Sequence, residues 1–273
     1  MKIAAIIPSG SSHRAESLRL LLEDIQKQTL RPQQIEVVHG VFPSGLARNL
    51  GASRCEADIY IFIDDDVRLG APDLFENMCD CLAQPEIGMV GAAQLIPQDS
   101  SAFQVRCARQ IPRSQSDIVN EVTESDMVTT ACCAVRSADF NQLKGFHENL
   151  PRGVDPEFRQ RIRAIGQRVC VAPHAWYYHP MPKTWSDLLL MAYRNGASSA
   201  YVQRLYPDLV FYNPEGHVSS FEARPSFGQR LLWRIARWSK ALSRGSFALV
   251  AYDLAYIAGL LRQRYSKDFL ARG

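Results

Sequence analysis

The fold is decided by residues 57–66, which read Ala57-Asp-Ile-Tyr-Ile-Phe-Ile-Asp-Asp-Asp66. The run 59–63 is wholly apolar and rich in β-branched and aromatic residues, which is typical of a strand buried on both faces. Three carboxylates follow this run directly and repel one another, so the protein gains little by placing them there without a ligand. Because ligands bind at the carboxyl ends of strands in an open α/β sheet, we expect a binding site at Asp64, Asp65 and Asp66.

Other apolar runs flank this strand and alternate with helical patterns. Residues 3–7 and 35–38 predict two further strands, and apolar residues at helical spacing predict helices over 18–28 and 47–55. This alternation predicts an α/β fold in which helices flank a mostly parallel central sheet. The stretch 97–126 is polar and weakly periodic, and we interpret it as a mobile insertion.

The acidic triplet also indicates a metal site. In an extended backbone, residues two apart point the same way, so Asp64 and Asp66 can converge on one cation. Carboxylate oxygens suit Mg²⁺ or Mn²⁺, and either ion can bridge a diphosphate. The alternative is a solvated acidic turn that caps the next segment.

Upstream of the triplet stands Ala47-Arg48-Asn49-Leu-Gly51. Together with residues 57–66, this motif resembles the family 2 glycosyltransferases of the GT-A fold, and the resemblance extends from residue 3 to about residue 180. It implies that Asp66 contacts a metal, and that Asp64, Asp65 and Arg48 bind the nucleotide-sugar donor.

A second segment resembles the same family. Residues 145–148 read Gly-Phe-His-Glu and lead into 151–161, where Asp155 falls on the second carboxylate of the family's Glu-Asp pair. The resemblance makes Asp155 the general base, and Arg161 is expected to hold Asp155 or a phosphate. The alternative role for Asp155 is the N-cap of a helix that begins at Pro156. Val154 replaces the family's usual Glu.

The resemblance supplies further donor and metal residues. His179 matches the histidine that closes the metal site in many relatives, and an imidazole ligand shifts the preference from Mg²⁺ toward Mn²⁺. After the first strand, Pro8, Ser9 and Gly10 stand where relatives carry a Pro-x-x-Asn turn, and they can supply donors to the nucleotide. His39 stands where an Asp often touches the nucleotide.

Composition excludes several classes of protein. The 273 residues are 47% hydrophobic and 22% charged with a formal net charge of +3, which excludes a disordered chain and gives no indication of nucleic-acid binding. The seven cysteines form no C-x-x-C pair, so we expect reduced core thiols rather than zinc ligands or disulfides. The apolar run after Lys2 is too short for a signal peptide, and we expect a cytoplasmic protein.

Three regions are predicted: a GT-A-like domain over 1–180, an acceptor-side helical segment over 181–226 and basic C-terminal helices over 227–273. In the last region, Arg234, Arg237 and Arg244 lie on one helical face and Ile235, Trp238 and Leu242 on another. Such a helix suits an anionic membrane surface, so we expect peripheral membrane contact through 227–261, at the inner face of the plasma membrane. The alternative is two helices folded onto the catalytic domain.

The sequence therefore predicts a metal-dependent, inverting glycosyltransferase that uses Mn²⁺ or Mg²⁺. It would move a sugar from a nucleotide-sugar donor to a hydroxyl of a glycan or lipid-linked acceptor. Two alternatives stay open at this point: a nucleotidyltransferase with similar acidic metal ligands, and a non-catalytic subunit of a polysaccharide assembly complex that keeps the fold.

Overall fold

The apolar runs form one eight-stranded sheet in the part of the chain that the computed structural model describes, residues 1–10, 14–207 and 227–266. Its strands, in chain order, are β1 (Ile3–Ser9), β2 (Gln34–His39), β3 (Ile59–Ile63), β4 (Arg68–Leu69), β5 (Ile87–Leu95), β6 (Thr123–Glu124), β7 (Cys132–Arg136) and β8 (Arg168–Tyr178). Their order across the sheet is β2-β1-β3-β7-β5-β8-β4, and β6 pairs with β8.

The sheet is mixed, with most strands pointing one way. β1 pairs in parallel with β2 and β3, and β5 pairs in parallel with β8, whereas β7 is antiparallel to both of its neighbours, β3 and β5. Hence β1, β2, β3, β5 and β8 share one direction, and the prediction of a mostly parallel sheet is confirmed. The carboxyl ends of these strands meet at one edge, so the residues that follow them come together.

Helices form where apolar residues recur at helical spacing. The helices are α1 (Ala15–Gln26), α2 (Ser44–Ser53), α3 (Leu74–Leu82), α4 (Ala102–Gln110), α5 (Ser137–Gln142), α6 (Val154–Ala164), α7 (Trp185–Leu205), α8 (Phe227–Ser243) and α9 (Phe247–Arg264). In α1, Leu21 and Ile25 are fully buried, as are Phe75 and Met78 in α3. Each such side chain stabilises the fold by about 1.5–3 kcal/mol relative to an exposed one.

The described residues divide into two units. The first comprises Met1–Pro97 and Gln115–Pro180, and therefore contains the whole sheet. The second comprises 98–114, 181–207 and 227–266. Residues 208–226 of the predicted acceptor-side segment and 267–273 of the C-terminal region lie outside the described residues.

The expected mobile insertion at 97–126 is wrong for its first part, which contains α4. Ser101 and Gln104 form a capping box, because the Ser101 side chain accepts from the Gln104 amide and the Gln104 side chain accepts from the Ser101 amide. Gln104 Nε2 also donates to the Met181 carbonyl oxygen at 2.6 Å. The contacts of residues 98–114 place this stretch in the second unit.

In the second unit, α7 and α9 approach each other closely at two glycines. A Cβ added to Gly196 would collide with the Tyr256 carbonyl oxygen, and one added to Gly259 would collide with that of Tyr193. Only glycine therefore permits this crossing. No helix within the described ranges is both long and apolar enough to cross a bilayer.

Candidate active site

The acidic triplet begins where β3 ends. The Asp64 amide donates to the Ala131 carbonyl oxygen at 3.1 Å, so the chain after β3 still follows the segment that leads into β7. This contact holds the three carboxylates at the sheet edge where the parallel strands end. The sequence predicted that position correctly.

Asp64 pairs with the arginine of the upstream motif. Arg48 is 2% exposed, and its Nη2 donates to Asp64 Oδ1 at 2.5 Å. Two further nitrogens of this guanidinium, Nε and Nη1, are buried without a hydrogen-bond partner among the described residues. Burial raises the pKa of the Asp64 carboxyl, Arg48 opposes that rise, and Asp66 adds to it. The guanidinium of Arg48 is therefore a buried, fixed positive charge next to Asp64.

Asp65 and Asp66 share a second arginine, which the sequence analysis did not single out. Arg14 Nη1 lies 2.6 Å from Asp65 Oδ1 and 3.1 Å from Asp66 Oδ2. Asp65 is 1% exposed, whereas the Arg14 side chain is about half exposed. The only sequence signal for Arg14 is its place a few residues after the apolar run 3–7.

A group of possible metal ligands forms beside this pair. Asp64, Asp66 and His179 each offer one ligand atom, and these atoms lie within 4.8 Å of one another. His179 Nε2 is 3.5 Å from Asp66 Oδ1, a buried oxygen that has no hydrogen-bond partner among the described residues. Two carboxylates and an imidazole, with one carboxylate oxygen that lacks a hydrogen bond, suit a divalent cation. The imidazole favours Mn²⁺ over Mg²⁺. The residues present therefore fit the expected metal.

Asp155 is held by Thr130 rather than by a helix end. Helix α6 begins at Val154 with Gly153 as its N-cap, so the alternative that Asp155 caps a helix beginning at Pro156 is wrong. Asp155 Oδ1 accepts from the Thr130 amide at 3.0 Å and from its Oγ1 at 2.6 Å. No hydrogen bond reaches Asp155 Oδ2 from the described residues.

Thr130 also connects the two halves of the site. Its carbonyl oxygen lies 3.5 Å from Arg48 Nη2, the nitrogen that binds Asp64, while its amide binds Asp155. The negative charge of Asp155 contributes to the raised pKa of Asp64, as expected for neighbouring carboxylates. The triplet and Asp155 therefore lie in one region of the first unit, within electrostatic reach of each other.

Arg161 has partners other than the expected ones. Its Nε and Nη2 bind the two carboxylate oxygens of Glu157 at 2.6 and 2.7 Å, and its Nη1 donates to the carbonyl oxygens of Leu143 and Gly145. The expected contact with Asp155 is therefore wrong, because Glu157, one helical turn earlier, accepts the two parallel hydrogen bonds of the Arg161 guanidinium. Val154 is buried and adds no polar group.

The predicted nucleotide residues of β1 and β2 lie side by side. Ser9 is in register with His39, and the Gly40 amide donates to the Ser9 carbonyl oxygen at 2.9 Å. Ser9 is buried, Pro8 is partly buried, and Gly10 and His39 are exposed. Both strands end at the same sheet edge as β3. These residues and the acidic triplet therefore lie along one edge of the sheet.

Asn49 explains why the two sequence motifs occur together. Its side chain accepts from the Phe146 amide and donates to the Phe146 carbonyl oxygen, each at 2.8 Å. Gly145 has a φ of +69°, and a Cβ there would lie 2.5 Å from Asn49 Oδ1. A Cβ on Gly51 would lie 2.5 Å from Ile6 Cγ2 of β1. These contacts hold α2 against β1 and against the segment that leads into α6.

Comparison with known proteins agrees with this geometry. The model of a family described as "Glycosyltransferase like family 2" matches residues 21–197, which is more than half of the chain. The chain belongs to this family. The protein is a glycosyltransferase, and the resemblance expected from the sequence is confirmed. The match favours sugar transfer over the nucleotidyltransferase and non-catalytic alternatives.

Two curated relatives of this glycosyltransferase have names that concern O-antigen. The O-antigen chain rhamnosyltransferase RfbN of Salmonella typhimurium is 24% identical over 239 residues, covering 75% of this chain and 75% of that protein. The O-antigen biosynthesis protein RfbC of Myxococcus xanthus is 24% identical over 251 residues, covering 84% of this chain. The chain spans only 19% of the length of RfbC.

A solved structure has the same fold as this glycosyltransferase. The mannosyltransferase PcManGT of Pyrobaculum calidifontis, solved with GDP-Man and Mn²⁺, aligns with a TM-score of 0.63 at 13% identity. The alignment covers 98% of this chain and 88% of that one. This likeness confirms the GT-A fold.

Proposed function

We propose that this glycosyltransferase is metal-dependent and inverting, and that it moves a sugar from a nucleotide-sugar donor to a hydroxyl of a glycan or lipid-linked acceptor. The observation that supports the proposal is the chain of contacts between Asp64 and Asp155. Arg48 binds Asp64, Thr130 binds Asp155, and Arg48 also donates to the carbonyl oxygen of Thr130. A donor bound at the triplet then has its anomeric carbon near a carboxylate that can take a proton.

Asp155 is proposed as the general base. The hydroxyl oxygen of the acceptor attacks the anomeric carbon from the side opposite the diphosphate, the bond to the diphosphate breaks, and the hydroxyl proton passes to Asp155 Oδ2. Thr130 holds Oδ1 through two hydrogen bonds, which fixes the direction of the carboxylate before substrate arrives. A single displacement with one base inverts the configuration at the anomeric carbon.

Asp66 and His179 are proposed to hold the metal, with Asp64 beside them. A bound divalent cation would neutralise the charge that develops on the departing diphosphate. Arg48 stands directly behind Asp64 and keeps that carboxylate in place. Ser9, Gly10 and His39, at the ends of β1 and β2, are proposed to face the nucleoside.

The acceptor class is drawn from the relatives. Both curated relatives carry O-antigen in their names, and O-antigen is a polysaccharide, so we propose a role in polysaccharide biosynthesis with a saccharide acceptor. The assignment of 181–226 to the acceptor side belongs to the same proposal.

A donor screen tests the proposal. Purified protein is mixed with each common nucleotide sugar and a saccharide acceptor, with Mn²⁺, with Mg²⁺ or with EDTA, and release of nucleoside diphosphate is measured. We expect release with one donor only when a divalent cation is present, and NMR of the product is expected to show an inverted anomeric centre. Full activity in EDTA, or retained configuration, would contradict the metal dependence or the inverting mechanism respectively.

Variants separate the two roles. Asp155→Asn is expected to keep nucleotide binding, measured by calorimetry, and to lose transfer by about 10²–10⁴-fold. Asp66→Ala is expected to abolish the Mn²⁺ dependence of donor binding. Asp117→Asn, an exposed change in the same unit, is the matched control and should leave both unchanged. Normal transfer by Asp155→Asn would remove Asp155 from the mechanism.

A further inference from the structure

Helix α8 packs with Arg237 and Trp238 inward and leaves several apolar side chains exposed. Arg237 and Trp238 are partly buried, whereas Leu232, Ile235 and Leu242 are 67%, 50% and 52% exposed. The three exposed side chains are separated by three and seven residues, so they lie on one face of the helix. The sequence predicts Arg237 on one face of this helix and Trp238 on another with Ile235 and Leu242. The structure differs for Trp238, which is partly buried and shares a hydrogen-bond acceptor with Arg237.

Asp253 of α9 fixes this orientation. Its carboxylate is 5% exposed, and its Oδ2 accepts from Arg237 Nη2 at 2.5 Å and from Trp238 Nε1 at 2.7 Å. Rotation of α8 to bury its leucines would leave this buried carboxylate without partners, which is costly. The contacts of Asp253 therefore keep the apolar side chains of α8 exposed.

Helix α9 carries a second apolar stripe. Phe247, Leu254 and Leu261 follow one another at intervals of seven residues and are 63%, 53% and 46% exposed. Seven residues make almost two full turns, so these side chains also lie along one face. Exposed apolar stripes on two adjacent helices mark a surface that interacts with something apolar.

The exposed charges of the same helix pair indicate which apolar partner this is. Among the side chains whose exposure the structure describes, the exposed basic ones of α8, α9 and the turn between them are Lys240, Arg244, Arg262 and Arg264. The only acidic residue between 227 and 266 is Asp253, which is buried. The exposed charges of this helix pair are therefore all positive, and exposed apolar stripes on a positively charged helix pair are complementary to an anionic lipid surface.

We infer that the lipid-binding face, defined as Leu232, Ile235 and Leu242 of α8 with Phe247, Leu254 and Leu261 of α9, inserts into the interface of an anionic bilayer. The inference deepens the proposed function, because a bilayer is where a lipid-linked acceptor resides. It does not depend on donor chemistry, since vesicle binding is measured without donor or metal.

Vesicle flotation tests the inference with the full-length protein. We expect the protein to float with vesicles of phosphatidylcholine containing about 30% phosphatidylglycerol, and to bind pure phosphatidylcholine far more weakly because the basic residues then have no anionic lipid to contact. High salt should weaken the electrostatic part of the binding. Equal binding to both vesicles, or no binding to either, would overturn the inference.

Paired variants locate the face. Leu232→Ser with Ile235→Ser removes apolar surface without changing charge, and we expect vesicle binding to fall by roughly tenfold or more. Leu190→Ser on α7, which removes a similarly exposed leucine, is the matched control and should bind as the unchanged protein does. Circular dichroism and donor binding confirm that each variant is folded.

A protein partner is the competing occupant of this face. If the double variant changes only the oligomeric state, measured by light scattering, and leaves vesicle binding intact, the face is an interface between protein chains and the inference is wrong. Failure of vesicle binding together with normal sugar transfer would overturn the lipid-binding face alone. Failure of sugar transfer with normal vesicle binding would overturn the proposed function alone.

Discussion

Thr130 gives both its amide and its hydroxyl to one oxygen of Asp155, at 3.0 and 2.6 Å. A single residue of the segment before β7 thus sets the direction of the proposed base. Thr130 was not singled out in the sequence analysis, because a threonine ahead of a strand carries no motif of its own.

The hydroxyl of Thr130 can be removed without disturbing the backbone. Thr130→Val keeps the shape of the side chain and the hydrogen bond from the backbone amide to Asp155. It loses the 2.6 Å hydrogen bond from the hydroxyl, so Asp155 is held less firmly. We expect the turnover number to fall by about tenfold, the equivalent of one hydrogen bond of about 1.4 kcal/mol, with little change in nucleotide affinity. Thr130→Ser restores the hydroxyl and should restore most of the rate. Equal rates for the valine and serine variants would show that the hydroxyl has no positioning role.

The ion pair of Arg48 with Asp64 should be visible in the free energy of unfolding. Arg48→Met leaves the Asp64 carboxylate without its buried partner, and we expect a loss of about 3 kcal/mol. Adding Asp64→Asn removes the stranded charge and should recover much of that loss in urea denaturation. The pair of Arg54 with Glu36 is more exposed, so Arg54→Met should cost at most about 1 kcal/mol. Simple additivity of the Arg48 and Asp64 changes would contradict a direct interaction.

Arg14 is expected to compete with a divalent cation for the triplet. Its guanidinium contacts Asp65 and Asp66, so a cation binding at Asp66 must displace or tolerate this positive charge. Because Arg14 is half exposed, the interaction is worth about 1 kcal/mol or less, and Arg14→Ala should tighten Mn²⁺ binding by up to about fivefold. Calorimetry with Mn²⁺ and no donor measures this, with Arg19→Ala on the exposed side of α1 as control. Weaker Mn²⁺ binding by Arg14→Ala would contradict competition.

Buried thiols should make stability depend on alkaline pH. Burial raises the pKa of the Cys79 thiol to about 12 and that of the Cys81 thiol to about 11, from an ordinary value of 9.0. Above pH 9 the unfolded chain releases these protons while the folded chain retains them, so their stabilising contribution is full below pH 9 and is lost as the pH rises toward 11 and 12. The free energy of unfolding under reducing conditions should therefore fall more steeply at alkaline pH in the natural protein than in a Cys79→Ala, Cys81→Ala variant. Parallel pH curves would show that these thiols titrate normally in the folded protein.

The fold could be predicted where local pattern and burial agree. The strand 59–63 was predicted at its observed bounds because all five residues are buried and polar residues end the run. Helix α4 was missed although Ser101 and Gln104 carry the spacing of a capping box, since its apolar face is weak. The Ser101-x-x-Gln104 spacing is therefore the sequence signal for this helix.

The site was predictable to the level of motifs but not of partners. Asp64, Asp66 and His179 all follow strands whose ends meet, so the sheet brings them together. Arg161 pairs with Glu157, four residues earlier on the same helix, and helical spacing permits this pair as well as the expected contact with Asp155. The rotation of α8 depends on Asp253, a residue of another helix, and no pattern within α8 contains that information.

The place of β7 in the sheet has a consequence for synthesis of the chain. β7 separates β3 from β5, yet its residues leave the ribosome long after those of β3. Until they do, the Ile-Tyr-Ile-Phe-Ile edge of β3 has no strand on that side, and an unpaired apolar edge recruits strands from other nascent chains. Polypeptides that stop before residue 132 should therefore aggregate, and successful expression of this enzyme should depend on chaperones that shelter the growing chain.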